Sequence, residues 1–371
     1  MKPNRWRNFA LLSLAGFASV TWAQIPGHYN SITDVPGVTV GQTTSADSGA
    51  TVVLIGGPNG GAGVPTGFVA RGGSPGLRET DVLNTVNRNE FVNGVVLTGG
   101  SLYGLAATAG VMLCLEGKGL GVSSGGGIVP IVPTSASFDR ATCGRPPATR
   151  PDLAAGQQAC MTAATGAVAQ GNVGGGNGAV SGGVKGGIGT ASVVLPNGVI
   201  VGALVSVNSE GAAYDENGEL HAASLGLDNE FEIAAGSSYI SEIANFAGGT
   251  SRVPLNAAAG PLRTGTSAVV ATNVQLTKAQ ATQVAQMADD GIARAITPAH
   301  TAGDGDAVFA TGTARIPLSS LGGEAEVITM IGAAAANTVS RAIVHALLAA
   351  TSTACQPSYC DAFPSACRNR R

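Results

Sequence analysis

Glycine occupies 55 of the 371 positions without a three-residue period, which removes the collagen helix, where glycine must recur at every third place. The rest of the apolar share is mainly Ala, Val, Ile and Leu. Hydrophobic residues make up 44 % of the chain, aromatic ones 4 % and charged ones 12 %. Disordered chains have the opposite balance, so a close-packed core of small side chains is expected. The length suits one large domain or two ordinary ones. Net charge is −3, and no run of Lys or Arg exists away from the termini, so nucleic acid is not an expected partner.

Residues 1–23 read as a secretory leader. Lys2, Arg5 and Arg7 form a positive start, Phe9 to Val20 an apolar stretch, and Thr21-Trp22-Ala23 a cleavage site before Gln24. The stretch is too short for a membrane anchor, which needs about 20 apolar residues. A periplasmic or secreted location follows, with no membrane attachment once the leader is removed. The long apolar run Ala325 to Thr351 is broken by Glu326, Asn337, Arg341 and His345, so it reads as a buried helix. In an oxidising compartment the expected disulfides are Cys143–Cys160 and one bridge within the tail, residues 355–371. No Cys-x-x-Cys pair suggests zinc. Cys114 reads as a core residue.

Strands and helices alternate along the chain. Val95 to Thr98, a Gly99-Gly100-Ser101 turn and the apolar-periodic Leu102 to Leu115 read as strand, turn and helix. Ala191 to Val207 holds two apolar runs around Pro196-Asn197-Gly198, a hairpin with positive φ accessible at both Asn197 and Gly198. Ser267 to Thr272 is a short strand. Thr277-Lys278-Ala279-Gln280 is a capping box opening a helix that turns Val284, Met287, Ala288 and Ile292 inward and stops before Pro298. Asp304-Gly305-Asp306 is a turn feeding the strand Ala307 to Ala310. The pattern predicts an α/β layered domain. Two low-complexity stretches, Gly171 to Gly189 and Ala234 to Gly265, read as loops, the second as the best candidate for a cleavable connection.

Several motifs fail as chemistry. Gly183 to Gly189 lacks the Gly-Lys-Ser/Thr ending of a phosphate loop. Gly99 to Tyr103 lacks the last glycine of a hydrolase elbow. Of four histidines only His300, near the Asp304 turn, has a distinctive setting, so a Ser-His-Asp triad has little support. What remains is Thr264-Gly265-Thr266-Ser267. If the Gly265–Thr266 peptide breaks, Thr266 gains an α-amine of pKa about 7.7–8.0 that can act as base for its own hydroxyl. Glycine before the bond tolerates the backbone strain of an N→O acyl shift. Read alone, the same residues are a turn entering a strand, Asp304-Gly305-Asp306 a solvated turn, and Lys185 a lysine in a glycine-rich surface loop.

Val269-Val270-Ala271-Thr272-Asn273, Leu276 to Ala281, Met287 to Ile296, Pro298-Ala299-His300-Thr301 and Asp304 to Ala310 together resemble the L-aminopeptidase/D-esterase family of self-processing N-terminal-nucleophile hydrolases. That family includes β-peptidyl aminopeptidases and nylon-oligomer hydrolases. Ile32 to Val38, Arg71 to Gly76 with Glu79-Thr80-Asp81, Leu97 to Ser101, Val129 to Pro133, Lys185 to Ser192 and Gly202 to Asn208 extend the likeness over nearly the whole mature chain. The resemblance implies an α/β/β/α sandwich of four layers, cut into an α piece (24–265) and a β piece (266–354 plus the tail). It also implies a homotetramer of αβ units, no metal or organic cofactor, and hydrolysis through an acyl-threonine.

Carried over by position, Thr266 resembles the nucleophile, Asp304 and Asp306 the acidic pair, Asn208 the amide that helps hold the oxyanion, and Lys185 a site lysine of the nylon-oligomer branch. The implied substrates are short peptides or amides with a free amino end, or linear amide oligomers of the 6-aminohexanoate type. Many relatives place Asn before two threonines. Here Gly265 holds the Asn place and the spacer to the strand is one residue shorter, so a gapped alignment gives Thr266 the nucleophile's position. Thr264 and Ser267 are the alternative nucleophiles. Two other readings remain open at this stage: an exported binding or structural homologue that never cleaves, and an acyltransferase of the same fold.

Overall fold

The structure is a computed structural model that describes residues 24–57, 61, 63–139, 149–233, 264–354 and 356–368. The leader, Cys143, Cys355 and all but the last two residues of the Ala234–Gly265 connection lie outside the described residues. One sheet is built from β1 (Val38–Thr44), β2 (Gly49–Ile55), β4 (Leu77–Arg78), β6 (Gly94–Thr98) and β9 (Thr134–Ala136), in the order β1-β2-β6-β9-β4. The other contains β3 (Val64–Arg71), β5 (Phe91–Val92), β12 (Gly187–Val194), β13 (Ile200–Val207), β14 (Ser267–Val274) and β15 (Asp306–Ile316), in the order β12-β13-β14-β15-β3-β5. Two small hairpins, β7–β8 (Val122–Ser124, Gly127–Val129) and β10–β11 (Val180–Ser181, Val184–Lys185), complete the strands.

Period-2 alternation sorts the apolar residues into three cores. Val269, Ala271, Ala307 and Phe309 of the second sheet meet Val53, Val95 and Leu97 of the first, forming the space between the sheets. The alternate residues Ala268, Val270, Val308 and Ala310 face the other way, onto α3 (Lys278–Ala295) and α4 (Glu324–Ala349). Val52 and Val96 face α1 (Ala107–Gly117) and α2 (Leu153–Met161) through Val111, Leu115, Ala159 and Cys160. The result is the four-layer α/β/β/α sandwich.

The capping box is present: Gln280 N–H donates to Thr277 Oγ1 at 3.2 Å, and Thr277 N–H donates to Gln280 Oε1 at 2.9 Å. Val284, Ala288 and Ile292 of α3 are buried as expected, with Met287 only half-buried. Helix α4 buries most of its length against the sheet, as its interrupting polar residues imply.

Four expectations change. The hairpin at 196–198 exists, but only Gly198 takes positive φ (+78°). The Leu102–Leu115 helix begins as a 3-10 turn over Ser101–Ala106. Residues 171–189 are not a loop: they form a 3-10 turn, the β10–β11 hairpin and the start of β12, mostly buried, because glycines there let backbones touch. Cys160 pairs with Cys114, not Cys143, at a Cα separation of 6.3 Å, because both face the same core between α1 and α2. The expected tail bridge is Cys360–Cys367. That tail is part of the core: Tyr359, at the start of α5 (Tyr359–Ala362), packs with Phe363 against Tyr214.

One buried ionic cluster ties the amino-terminal segment to α4. Arg341 donates to Glu230 through Nε (2.7 Å) and a second nitrogen (2.8 Å), and also to Ser192 O and Asn30 Oδ1, both at 2.9 Å. His345 Nε2 lies 2.6 Å from Glu230 Oε1. Burial opposes the Glu230 carboxylate, but hydrogen bonds from His345 and Arg341 outweigh it and hold its pKa down to about 2. A depressed carboxyl stabilises the fold above its unfolded pKa, so this contribution is whole above about pH 4.5 and fades as pH falls through about 2. Glu230→Gln is expected to cost about 3–5 kcal/mol at pH 7, because it strands Arg341 in the interior. The difference from wild type should shrink below pH 4 in urea melts. Equal midpoints at pH 7 would contradict this account.

Candidate active site

Strands β14 and β15 run parallel, with Ser267 opposite Ala307. The α3 crossover between them returns the chain to the same end of the sheet, so Thr266 arrives beside Asp306. Thr266 is fully buried; its N–H donates to Asp306 Oδ1 at 2.7 Å, and its carbonyl accepts the Ala307 N–H at 3.0 Å. Its Oγ1 is buried with no hydrogen-bond partner in the structure. An unsatisfied buried hydroxyl costs about 1–3 kcal/mol, and such groups call for an explanation. The neighbouring hydroxyls are engaged: Thr264 Oγ1 donates to Asp304 Oδ1, and Ser267 Oγ pairs with Ser135 Oγ at 2.7 Å.

The two aspartates are not a solvated turn; both are almost fully buried. Asp304 accepts the Glu210 and Thr301 N–H groups, each at 3.2 Å, and so shapes the loop. Asp306 turns its second oxygen to His300, which donates from its backbone at 3.1 Å and lies 2.8 Å away through Nδ1. His300 Nε2 is 3.5 Å from Asp289 Oδ2, and Arg71 Nε reaches the same oxygen at 3.2 Å. The hydrogen bond to Asp306 raises the His300 pKa above its ordinary value, and burial raises that of Asp289. The row Thr266–Asp306–His300–Asp289–Arg71 thus runs from the threonine nitrogen to a half-exposed guanidinium.

Gly265 is held through both of its backbone groups. Its N–H donates to Asn208 O at 2.6 Å, and its carbonyl accepts from Ser137 Oγ at 3.1 Å. Its φ is not among the positive ones; the reason for glycine is space, since a Cβ would lie 2.8 Å from Gly305 O. Asn208 is fully buried, with Oδ1 accepting from Val180 N–H (3.0 Å) and Nδ2 donating to Phe138 O (3.3 Å). It therefore reaches Gly265 by its backbone, not its amide.

Lys185 is buried too, not on a surface loop. Its Nζ donates to Asn177 O (2.8 Å) and Ala179 O (2.7 Å), and none of its hydrogen bonds goes to Thr266. Its charge interacts with Asp139, which accepts from Ser48 Oγ at 2.6 Å and from Gly100 N–H. Burial pushes Lys185 down to about 8 against the pull of Asp139, and pushes Asp139 up to about 6 against its hydrogen bonds. The pair borders the site because Asp139 follows Ser137 and Phe138.

Sequence reasoning missed Asp289, Asp139, Ser137 and the service of His300 to Asp306. A signal existed for Asp289: it sits with Ala285 and Ile292 on the apolar stripe of α3, where an acid needs a partner. Ser135 and Ser137 show the spacing of one strand face. Asp139 has no such mark.

Comparison with known proteins gives one consistent picture. The model of peptidase family S58 matches residues 30–358. An uncharacterized aminopeptidase of Mycobacterium leprae is 44 % identical over 370 residues, covering 91 % of this chain and 95 % of the relative. A 6-aminohexanoate-oligomer endohydrolase of Agromyces sp. is 31 % identical over 326 residues, covering 84 % of each. Among solved structures, the L-aminopeptidase D-Ala-esterase/amidase of Ochrobactrum anthropi, described as a variant of the Ntn hydrolase fold, superposes with a TM-score of 0.63. Its identity is 22 %, and it covers 89 % of this chain and 88 % of that one. A Burkholderia sp. beta-aminopeptidase gives 0.62 at 23 % identity, covering 93 % and 95 %.

The electrostatic assignment is testable. The Asp139 charge raises the Lys185 pKa, so Asp139→Asn is expected to move the lysine's titration below about 8, followed by NMR of its Nζ. An unchanged or higher value would show that the two charges are not coupled.

Proposed function

The chain belongs to peptidase family S58 and is a hydrolase of amide bonds, and from that premise we propose that it activates itself by cutting between Gly265 and Thr266 and then uses Thr266 as its nucleophile. The observation behind this reading is the lone buried Thr266 hydroxyl beside an N–H already seated on a carboxylate, while the Thr264 and Ser267 hydroxyls are engaged. In the cut, Thr266 Oγ1 attacks the Gly265 carbonyl carbon and the C–N bond gives way to an ester. The hydroxyl proton ends on the released nitrogen. Water then splits the ester, leaving Gly265 as a carboxylate and Thr266 as a chain end.

The new amine takes the proton from Oγ1 as the oxygen attacks a substrate amide. Asp306 Oδ1, already bonded to that nitrogen, steadies the ammonium that forms. That ammonium passes its proton to the leaving nitrogen as the substrate C–N bond breaks, and water then hydrolyses the acyl-threonine ester, releasing the acid and restoring the threonine hydroxyl. Relatives named aminopeptidase share more identity with this chain than those named oligomer endohydrolase, which makes short peptides with a free amino end the first substrates to try and 6-aminohexanoate oligomers the second. Export, removal of residues 1–23 and assembly of αβ units into a tetramer belong to the same proposal.

Intact mass and amino-terminal sequencing of active protein should give two fragments, the second starting at Thr266. Thr266→Ala should leave one chain and lower peptide hydrolysis at least about 10³-fold, the scale of losing a nucleophile. An uncut wild-type chain with full activity would sink the mechanism. Added amine acceptors yielding new amides in place of acids would shift the reading to acyl transfer.

A further inference from the structure

We propose that Ser137 is a catalytic residue of the self-cleavage, its hydroxyl holding the negative charge that forms on the Gly265 oxygen. The inference rests on Thr266 being the residue that attacks. The carbonyl to be attacked already accepts a hydrogen bond from Ser137 Oγ at 3.1 Å, and among the described residues no other side chain donates to it. The Asn208 amide, which the family resemblance connects with the oxyanion, is turned to Phe138 O and Val180 N–H. The donor role at this bond therefore falls to the serine.

The first sheet fixes the geometry. Ser137 continues β9, with its N–H on Thr98 O at 2.7 Å and its carbonyl accepting Ser101 N–H at 3.0 Å, so its hydroxyl springs from anchored backbone. Two residues earlier, Ser135 Oγ meets Ser267 Oγ at 2.7 Å. The pairs 135–267 and 137–265 match because both strands repeat every two residues, and one pleat aims both hydroxyls across the gap. The Gly265–Thr266 peptide is then pinned through both its groups, Gly265 O on Ser137 and Thr266 N–H on Asp306, and the Gly265 N–H on Asn208 O fixes the residue before it.

As Thr266 Oγ1 forms its bond to carbon, the carbonyl π pair moves to the Gly265 oxygen and the Ser137 O–H bond draws in. When the C–N bond breaks, that pair returns to rebuild a carbonyl, now an ester. Ser137 keeps its proton throughout, so it needs no base. It is buried and neutral, and a preorganised donor of this kind costs no reorganisation when charge appears.

The test is the first-order rate at which full-length, leader-free precursor becomes two fragments, read on denaturing gels. Ser137→Ala should slow it about 10²–10³-fold, the effect of deleting one oxyanion donor, and Ser137→Thr should restore much of the rate. Near-UV circular dichroism of Thr266→Ala with and without Ser137→Ala, both uncut, should coincide, which separates chemistry from misfolding. Ser137→Ala maturing within about threefold of wild type, with the second fragment still starting at Thr266, would overturn this proposal alone. A wild-type second fragment starting elsewhere would overturn the Thr266 reading on which it rests.

Discussion

The parallel pairing of β14 with β15 is the constraint on which the site depends. Parallel neighbours need a crossover, and here α3 provides it, so both strands begin at the same end of the sheet. That places Thr266 and Asp306, each at the threshold of its strand, within one hydrogen bond. The row of charges behind Asp306 then comes from elements packed on the same face: His300 from the approach to β15, Asp289 from α3, Arg71 from the end of β3. A local turn could not gather them.

The site is also unusual in how much charge it hides. Asp304, Asp306, Asp139, Asp289 and Lys185 are all nearly inaccessible. Carboxylates are normally kept at the surface, and burying them is tolerated only with partners. Backbone N–H groups serve Asp304, Asp306 and Asp139, while Lys185 is received by two carbonyls. The small side chains and glycines of this chain make that possible, because they let backbone come close enough to solvate an ion. At Gly99, a Cβ would intrude on the Asp139 carboxylate and on Ser48 Oγ.

Much of the fold was legible in the residues. Strands announced themselves by β-branched runs, α3 by its capping box, and the sandwich by the family likeness. The candidate site was legible only through that likeness, since Thr266, Asp304 and Asp306 look like ordinary turn residues when read locally. The errors have a common physical origin. Residues 171–189 looked like a loop because glycine propensity argues against regular structure, yet close backbone packing overrides it. Lys185 looked exposed for the same reason. Cys160 was paired with Cys143 on sequence proximity, whereas α1 and α2 lie side by side and bring Cys114 to it. Contacts across layers, such as Ser137 to Gly265, leave no trace in a one-dimensional pattern.

The carboxyl-terminal tail sets an order of events. Pro357 O accepts the Lys185 N–H at 2.7 Å, and Gln356 Nε2 donates to Gly183 O at 2.8 Å, so the hairpin bearing that lysine is completed by residues near the very end of the chain. The lysine is therefore seated only once residues 356 and 357 have folded back onto it, which makes the closing of this hairpin a contact of long sequence separation whose loop entropy must be met late in folding.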